Sequence, residues 1–181
     1  MKSDKRIYLC PSPVLEAVAG EITLEALAKH GDSIAQIVDT LRSAIEKVGA
    51  AGMAAPQVGF GVRLILVRGT PENPITVMIN PTWEPIGASL VNDFEECFST
   101  PGVRVSANRY KNIKASWLNL DGEPQTSSFF AFQARVIQHE IDHLDGKCLW
   151  DLLDEQERKN YMSLTKRQRE KNRKWRARRE M

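Results

Sequence analysis

The stretch Gln138-His139-Glu140-Ile141-Asp142-His143-Leu144-Asp145-Gly146 constrains this chain more than any other. Read as a helix, it sets His139 and His143 one turn apart on the same face, within reach of a single divalent ion. Glu140 lies one step round from His139, where a carboxylate can reach a metal-bound water without ligating the metal. Imidazoles to hold an ion and a carboxylate to move protons are the parts of a metal hydrolase. Gly146 is expected at C′, which puts the motif in the last turns of the helix. Val136 and Phe132 fall on the histidine face, and Ala134, Ile137, Ile141 and Leu144 form a second apolar stripe. A helix apolar on two sides belongs at the centre of a domain, one stripe in the core and the other lining a pocket. Ser127 or Ser128 is the expected cap at its start.

The segments before it supply what a metal helix lacks. Ile7 to Leu15 reads as an edge segment, broken by two prolines, that ties down the N-terminus. Asp32 or Ser33 is expected to cap a helix over 33–48, whose apolar repeat stops at Gly49. The run from Ala50 to Gly59 is rich in small residues, Gly52 among them, which let a backbone or a ligand approach closely. Gln57 stands in that run. It is either solvated in a tight helix-to-strand connection or offers its NH2 to a developing oxyanion. Residues 62–67, 75–80 and 112–119 read as strands, and Asp121-Gly122 as a turn leading into 123–128. Pro81, Pro85 and Gly87 are expected in irregular chain. Cys97 alone reads as a buried structural thiol. Beside a helix that lacks a third ligand, it becomes a candidate metal thiolate.

Composition bounds the setting. At 181 residues one domain is expected, with a core large enough to need no staples. Three cysteines form no disulfide framework, so a reducing compartment is expected. The N-terminus has no apolar signal core, and no run nears the roughly 18 apolar residues of a membrane span. A cytoplasmic protein follows. The net charge of +2 hides an asymmetry: residues 158–181 carry 11 Lys or Arg against two Glu, and residues 1–157 carry 14 basic against 21 acidic side chains. A basic tail of +9 thus follows an acidic body of −7. The fold class expected is α+β, antiparallel sheets and turns around a central metal-binding helix. Residues 1–155 are expected to form the catalytic domain and 156–181 a basic C-terminal helix or tail.

Taken together, three stretches resemble peptide deformylase, the family that removes the formyl group from N-terminal formylmethionine. Its Gly-x-Gly-apolar-Ala-Ala-x-Gln loop, Glu-Gly-Cys-apolar-Ser segment and Gln-His-Glu-x-Asp-His-Leu helix match residues 50–57, 95–99 and 138–144. Ala50 replaces the first glycine, Glu96 replaces the glycine before the cysteine, and Phe98 stands where leucine is common. The resemblance implies that Cys97, His139 and His143 hold the metal, iron(II) in the cell, with zinc, nickel or cobalt able to substitute. It implies Glu140 as general base and acid, with Gln57 and the Phe98 backbone N–H stabilising the oxyanion. Phe132, Val136 and the stem of Arg104 would cradle the methionine, Glu96 would lie near the peptide path, and Glu95 would pair with Arg109. Formylmethionyl peptides and nascent chains are the implied partners, with no DNA or membrane. The tail suits ribosome or rRNA contact. Two other readings compete: a zincin-type endopeptidase, and a ribosome- or RNA-binding protein with a vestigial metal site. The first lacks a downstream ligand, since 147–181 holds no histidine and only Cys148, expected to lie too close to the helix end to turn back easily, and the second does not explain an intact set of site residues.

Overall fold

The computed structural model describes residues 7–69 and 74–164. Its helices are α1 (Pro13–Glu16), α2 (Leu24–Lys29), α3 (Gly31–Val48), α4 (Ala131–Leu144) and α5 (155–164). Its strands are β1 (Gly52–Ala54), β2 (Leu64–Arg68), β3 (Ile75–Pro85), β4 (Leu90–Glu96), β5 (Arg104–Tyr110), β6 (Asn112–Leu118) and β7 (Pro124–Phe130). An antiparallel five-stranded sheet has the order β1-β2-β3-β6-β7, and β4 and β5 form a separate hairpin. This is the expected α+β class. No helix among the described residues is long and apolar enough to cross a membrane.

β2 shows why the sheet sits between two helices. Its sequence Leu-Ile-Leu-Val does not alternate with polar residues, and all four side chains are buried. Because successive side chains point to opposite faces, Leu64 and Leu66 join the α3 cluster, with Ile37, Leu41 and Ile45. Ile65 and Val67 join the α4 cluster, with Ile137, Ile141 and Leu144. Each of these α4 side chains, fully removed from water, contributes about 1.5–3 kcal/mol. That burial holds α4 at the centre with its histidine face turned the other way.

Three local expectations are corrected. Neither Asp32 nor Ser33 caps α3, because α2 runs directly into it through His30, whose carbonyl already accepts from Ser33 and Ile34. Asp32 is in the first turn instead, where its charge suits the helix dipole. Ser127 and Ser128 are ladder residues of β7, opposite Ala115 and Lys114, so neither caps α4. The first N–H of that helix, from Ala131, donates to Lys111 O at 2.8 Å. Pro81 and Pro85 lie inside β3, which extends past Asn80. The strand tolerates Pro81 because its register with β6 shifts between Ile79 and Thr82, and Pro85 is its last residue. The other end of α4 behaves as expected. Gly146 has φ +72°, and Lys147 N donates back to Asp142 O at 2.8 Å. A Cβ there would sit 2.6 Å from Glu16 O, so α1 excludes any larger residue.

The N-terminal segment is tied down by Tyr8 N to Gln57 O and Cys10 N to Ser99 O, both 2.8 Å. At the other end, α5 starts where the basic tail was expected to begin, but Tyr161 is buried with Val103 and Leu153. The basic run 166–179 lies outside the described residues.

Candidate metal centre and substrate cleft

α4 sets the His139 and His143 rings 5.0 Å apart, nearly perpendicular. The turn after β4 brings in Cys97, whose Sγ lies 3.3 Å from His143 Nε2. The ligand atoms of Cys97, His139 and His143 all lie within 4.8 Å of one another. Sulfur plus two imidazole nitrogens is a donor set for Zn2+, Fe2+, Ni2+ or Co2+, so the residues present fit a divalent ion. Ser99 N donates to Cys97 Sγ at 3.4 Å, which supports the sulfur as an acceptor.

Glu95 orients this centre. One oxygen accepts from His139 Nδ1 at 2.9 Å, which leaves Nε2 for the ion. Arg109 binds both carboxylate oxygens, at 2.9 and 3.0 Å, so the expected pair is present. Arg109 also reaches Asp142 on α4. Burial alone would push the Glu95 carboxyl up, but hydrogen bonds from His139 and Arg109 outweigh it and hold the group well below the usual carboxylate range.

Glu140 has the opposite environment. It is 4% exposed, and its Oε2 is buried with no hydrogen-bond partner. Burial pushes its carboxyl up to about 7. Gly52 on β1 is what lets it fit: a Cβ there would lie 2.8 Å from Val136 Cγ1 and 2.9 Å from Glu140 Oε1. Gln57, on a 3-10 turn over Ala55–Val58, is 3% exposed and therefore not solvated. Its Oε1 accepts from Ala54 N at 2.8 Å, turning Nε2 toward Cys97 Sγ (3.5 Å) and Ser99 Oγ (3.2 Å).

These groups open on a cleft of about 170 Å³, bordered by Gly52, Gln57, Glu96, Cys97, Phe98, Phe132, Val136, His139 and Glu140. Phe132 is 67% exposed at its rim, whereas Val136 is buried. Arg104 does not line the cleft. Its guanidinium lies 4.6 Å from the Phe94 ring centre and 3.8 Å from exposed Glu96.

Sequence reasoning missed three supporting residues. Arg135 lines the cleft and spans α4 to the β4–β5 hairpin, donating to Glu95 Oε1 (2.7 Å), Val91 O (2.7 Å) and Ala107 O (3.1 Å). Gln138 exchanges two hydrogen bonds with the Tyr110 backbone, so a buried amide acts as one more ladder residue. Tyr161 donates its hydroxyl to Ser99 O at 3.1 Å, joining α5 to the cysteine loop. One expectation is corrected: Cys148 does turn back after Gly146, and its Sγ is 3.7 Å from His143 Nδ1. For Arg135 alone there was a signal: a cation one turn before His139, on a helix with apolar stripes on two sides.

Comparison with known proteins agrees with this geometry. A family model described as polypeptide deformylase matches residues 4–159. Peptide deformylase 1 of Prochlorococcus marinus (strain MIT 9313) is 38% identical over 129 residues, 66% of this chain and 67% of the relative. The crystal structure of Arabidopsis thaliana peptide deformylase 1B with an inhibitor superposes with TM-score 0.76 at 29% identity, covering 92% of this chain and 93% of that one. The class I type b peptide deformylase of Acinetobacter baumannii, bound to Met-Ala-Ser, gives 0.72 at 28% identity, covering 81% and 96%. A match that takes in all three motifs, the sheet and the central helix has one meaning: this chain belongs to the polypeptide deformylase family.

Proposed function

We propose that this protein is a metal-dependent hydrolase that removes the N-formyl group from formylmethionine at the start of newly made polypeptides. The observation that carries this reading is the Cys97–His139–His143 donor set beside a buried carboxylate, Glu140, with an orphaned oxygen. The A. baumannii enzyme holds Met-Ala-Ser, a peptide that starts with methionine, which supports the same substrate class here. An ion bound by the three ligands, iron(II) in the cell, supplies Lewis acidity and makes water a nucleophile near neutral pH.

The remaining work belongs to the chain. Glu140 takes a proton from the attacking water as oxygen bonds to the formyl carbon, then gives it to the departing amine. Formate and a free N-terminal amine result. Gln57 Nε2, held by Ala54, and the Phe98 N–H stabilise the negative oxygen of the tetrahedral intermediate. Phe132 and Val136 take the methionine side chain along the cleft wall, and Gly52 lets the peptide backbone come close. The exposed Glu96–Arg104 pair lies beside the path of later residues. Three free thiols suit a cytoplasmic enzyme, and the basic tail suits ribosome contact. Formate release from formyl-Met-Ala, with no cleavage of casein, is the expected result. Casein cleavage without formate release would instead make it a peptidase.

A further inference from the structure

The loop that carries Cys97 is held from a helix outside the three motifs. Thr100 N donates to Cys97 O at 3.0 Å, which closes a turn directly after β4. Ser99, wholly buried, sits inside that turn with each of its polar groups engaged. Its N–H donates to Cys97 Sγ at 3.4 Å, and its Oγ accepts from Gln57 Nε2 at 3.2 Å. One residue thus touches both the metal thiolate and the oxyanion amide. Its carbonyl accepts from Cys10 N at 2.8 Å and from the Tyr161 hydroxyl at 3.1 Å, so both lone pairs are used. Tyr161 comes from α5, 62 residues along the chain and beyond the stretch 4–159 that the family model matches. Its ring is buried with Val103 and Leu153 and tilts against Trp150 at 5.6 Å. Packing holds the ring, and the hydroxyl is left to act on the loop.

We propose that Tyr161 is a positioning residue for deformylation, a role that rests on the reading of the site given above. Its hydroxyl holds the Cys97–Thr100 turn, so that the Cys97 sulfur, the Gln57 amide and the Phe98 N–H keep their mutual geometry. The reasoning is local. A buried carbonyl needs its donors, because water cannot replace them. Without the hydroxyl, Ser99 O keeps only the Cys10 N–H and tilts toward it. The Ser99 carbonyl and the Thr100 N–H belong to one planar peptide. A tilt of the first therefore weakens the bond from the second to Cys97 O, which closes the turn. Donors aimed at an oxyanion stabilise it only where they are held in place, and small misplacements are costly. α5 up to Tyr161 thus belongs to the catalytic unit rather than to the basic tail that follows it.

The test uses the full chain loaded with cobalt(II), whose visible d–d bands report the geometry of its ligands. Tyr161→Phe removes the hydroxyl and leaves the ring packed on Val103, Trp150 and Leu153. Well below the unfolding midpoints, kcat for formyl-Met-Ala should fall roughly tenfold with KM within about twofold, because misplaced groups cost the transition state more than the bound peptide. The cobalt bands should shift as well. Leu153→Val is the control: it loosens the same apolar cluster but keeps the hydroxyl, and should retain wild-type kcat and bands. Wild-type kcat in Tyr161→Phe overturns the proposal. An equal loss of kcat in Leu153→Val also overturns it, since packing alone would then account for the effect. A lower kcat with unshifted cobalt bands overturns the route through the Cys97 turn. A wild-type chain that binds cobalt but releases no formate overturns the deformylase reading instead, and the bands of the two proteins still test Tyr161.

Discussion

Glu95→Ala removes a carboxylate on which three cationic or hydrogen-bonding groups converge. In the folded protein it accepts from Arg109 twice, from Arg135 at 2.7 Å and from His139 at 2.9 Å, and it is almost wholly buried. Its loss leaves Arg109 with Asp142 as its carboxylate partner and Arg135 with backbone carbonyls alone, in a site with little access to water. Breaking a buried ion pair by deleting one partner costs about 3–5 kcal/mol. In a domain of this size each kcal/mol lowers Tm by about 2–4 °C, so a fall of roughly 6–20 °C is expected. Glu95→Gln keeps the volume and one acceptor but turns a donor toward donors, and should fall between Ala and wild type. The pH dependence has a definite sign. Because the folded protein holds this carboxyl below its ordinary range, its stabilisation is complete above the unfolded value of about 4.3 and is lost as pH falls toward the folded value. Scanning fluorimetry of zinc-loaded proteins across acid to neutral pH measures both effects. A Glu95→Ala protein melting within about 2 °C of wild type near neutral pH, less than one kcal/mol, would refute the reasoning.

Other perturbations test other parts. Gly52→Ala puts a methyl within 3 Å of Val136 and Glu140, so it should cost about 1–3 kcal/mol and lower kcat by roughly tenfold to a hundredfold; unchanged kcat and Tm would show that the contact relaxes freely. Glu140 must be ionised to accept a proton, and burial holds it up to about 7, so kcat/KM should fall as pH drops through that value, or lower where a bound cation draws the group down. An inflection well above 7 would mean that another group sets the acid limb. Deleting residues 165–181 should leave turnover of short formyl peptides unchanged while weakening salt-sensitive co-sedimentation with ribosomes; equal co-sedimentation at low salt would leave the tail as solvated surface.

What could be read from the sequence depended on how local the physics was. The α4 metal face follows from four-residue spacing alone, and its place in the core from Ile137, Ile141 and Leu144. α3 was legible for the same reason, and Gly49, at φ +71°, ends it as expected. The β4–β5 hairpin was not legible. Leu-Val-Asn-Asp-Phe-Glu-Glu and Arg-Val-Ser-Ala-Asn-Arg-Tyr are largely exposed and carry no clean alternation, so pairing with each other defines them rather than burial. Proline misled at Pro81, where the break in the ladder belongs to a bulge rather than to the end of a strand. Arg135 and Tyr161 were missed because their partners are remote in sequence or reached through backbone carbonyls, and Cys148 was misjudged because the chain reverses tightly enough after Gly146 to bring it back to His143, five residues away. Arg104 was placed by resemblance, and in the fold its charge goes to Phe94 and Glu96.

The central claim is that Glu140 moves the proton while Cys97, His139 and His143 hold the metal. Deformylation of formyl-Met-Ala by wild type and Glu140→Gln, with metal content determined on the same samples, tests it most directly. The account predicts equal metal content and a loss of about two to four orders of magnitude in kcat/KM, the range for general acid–base catalysis. A fully metal-loaded Glu140→Gln protein that turns over formyl-Met-Ala at the wild-type rate would contradict it.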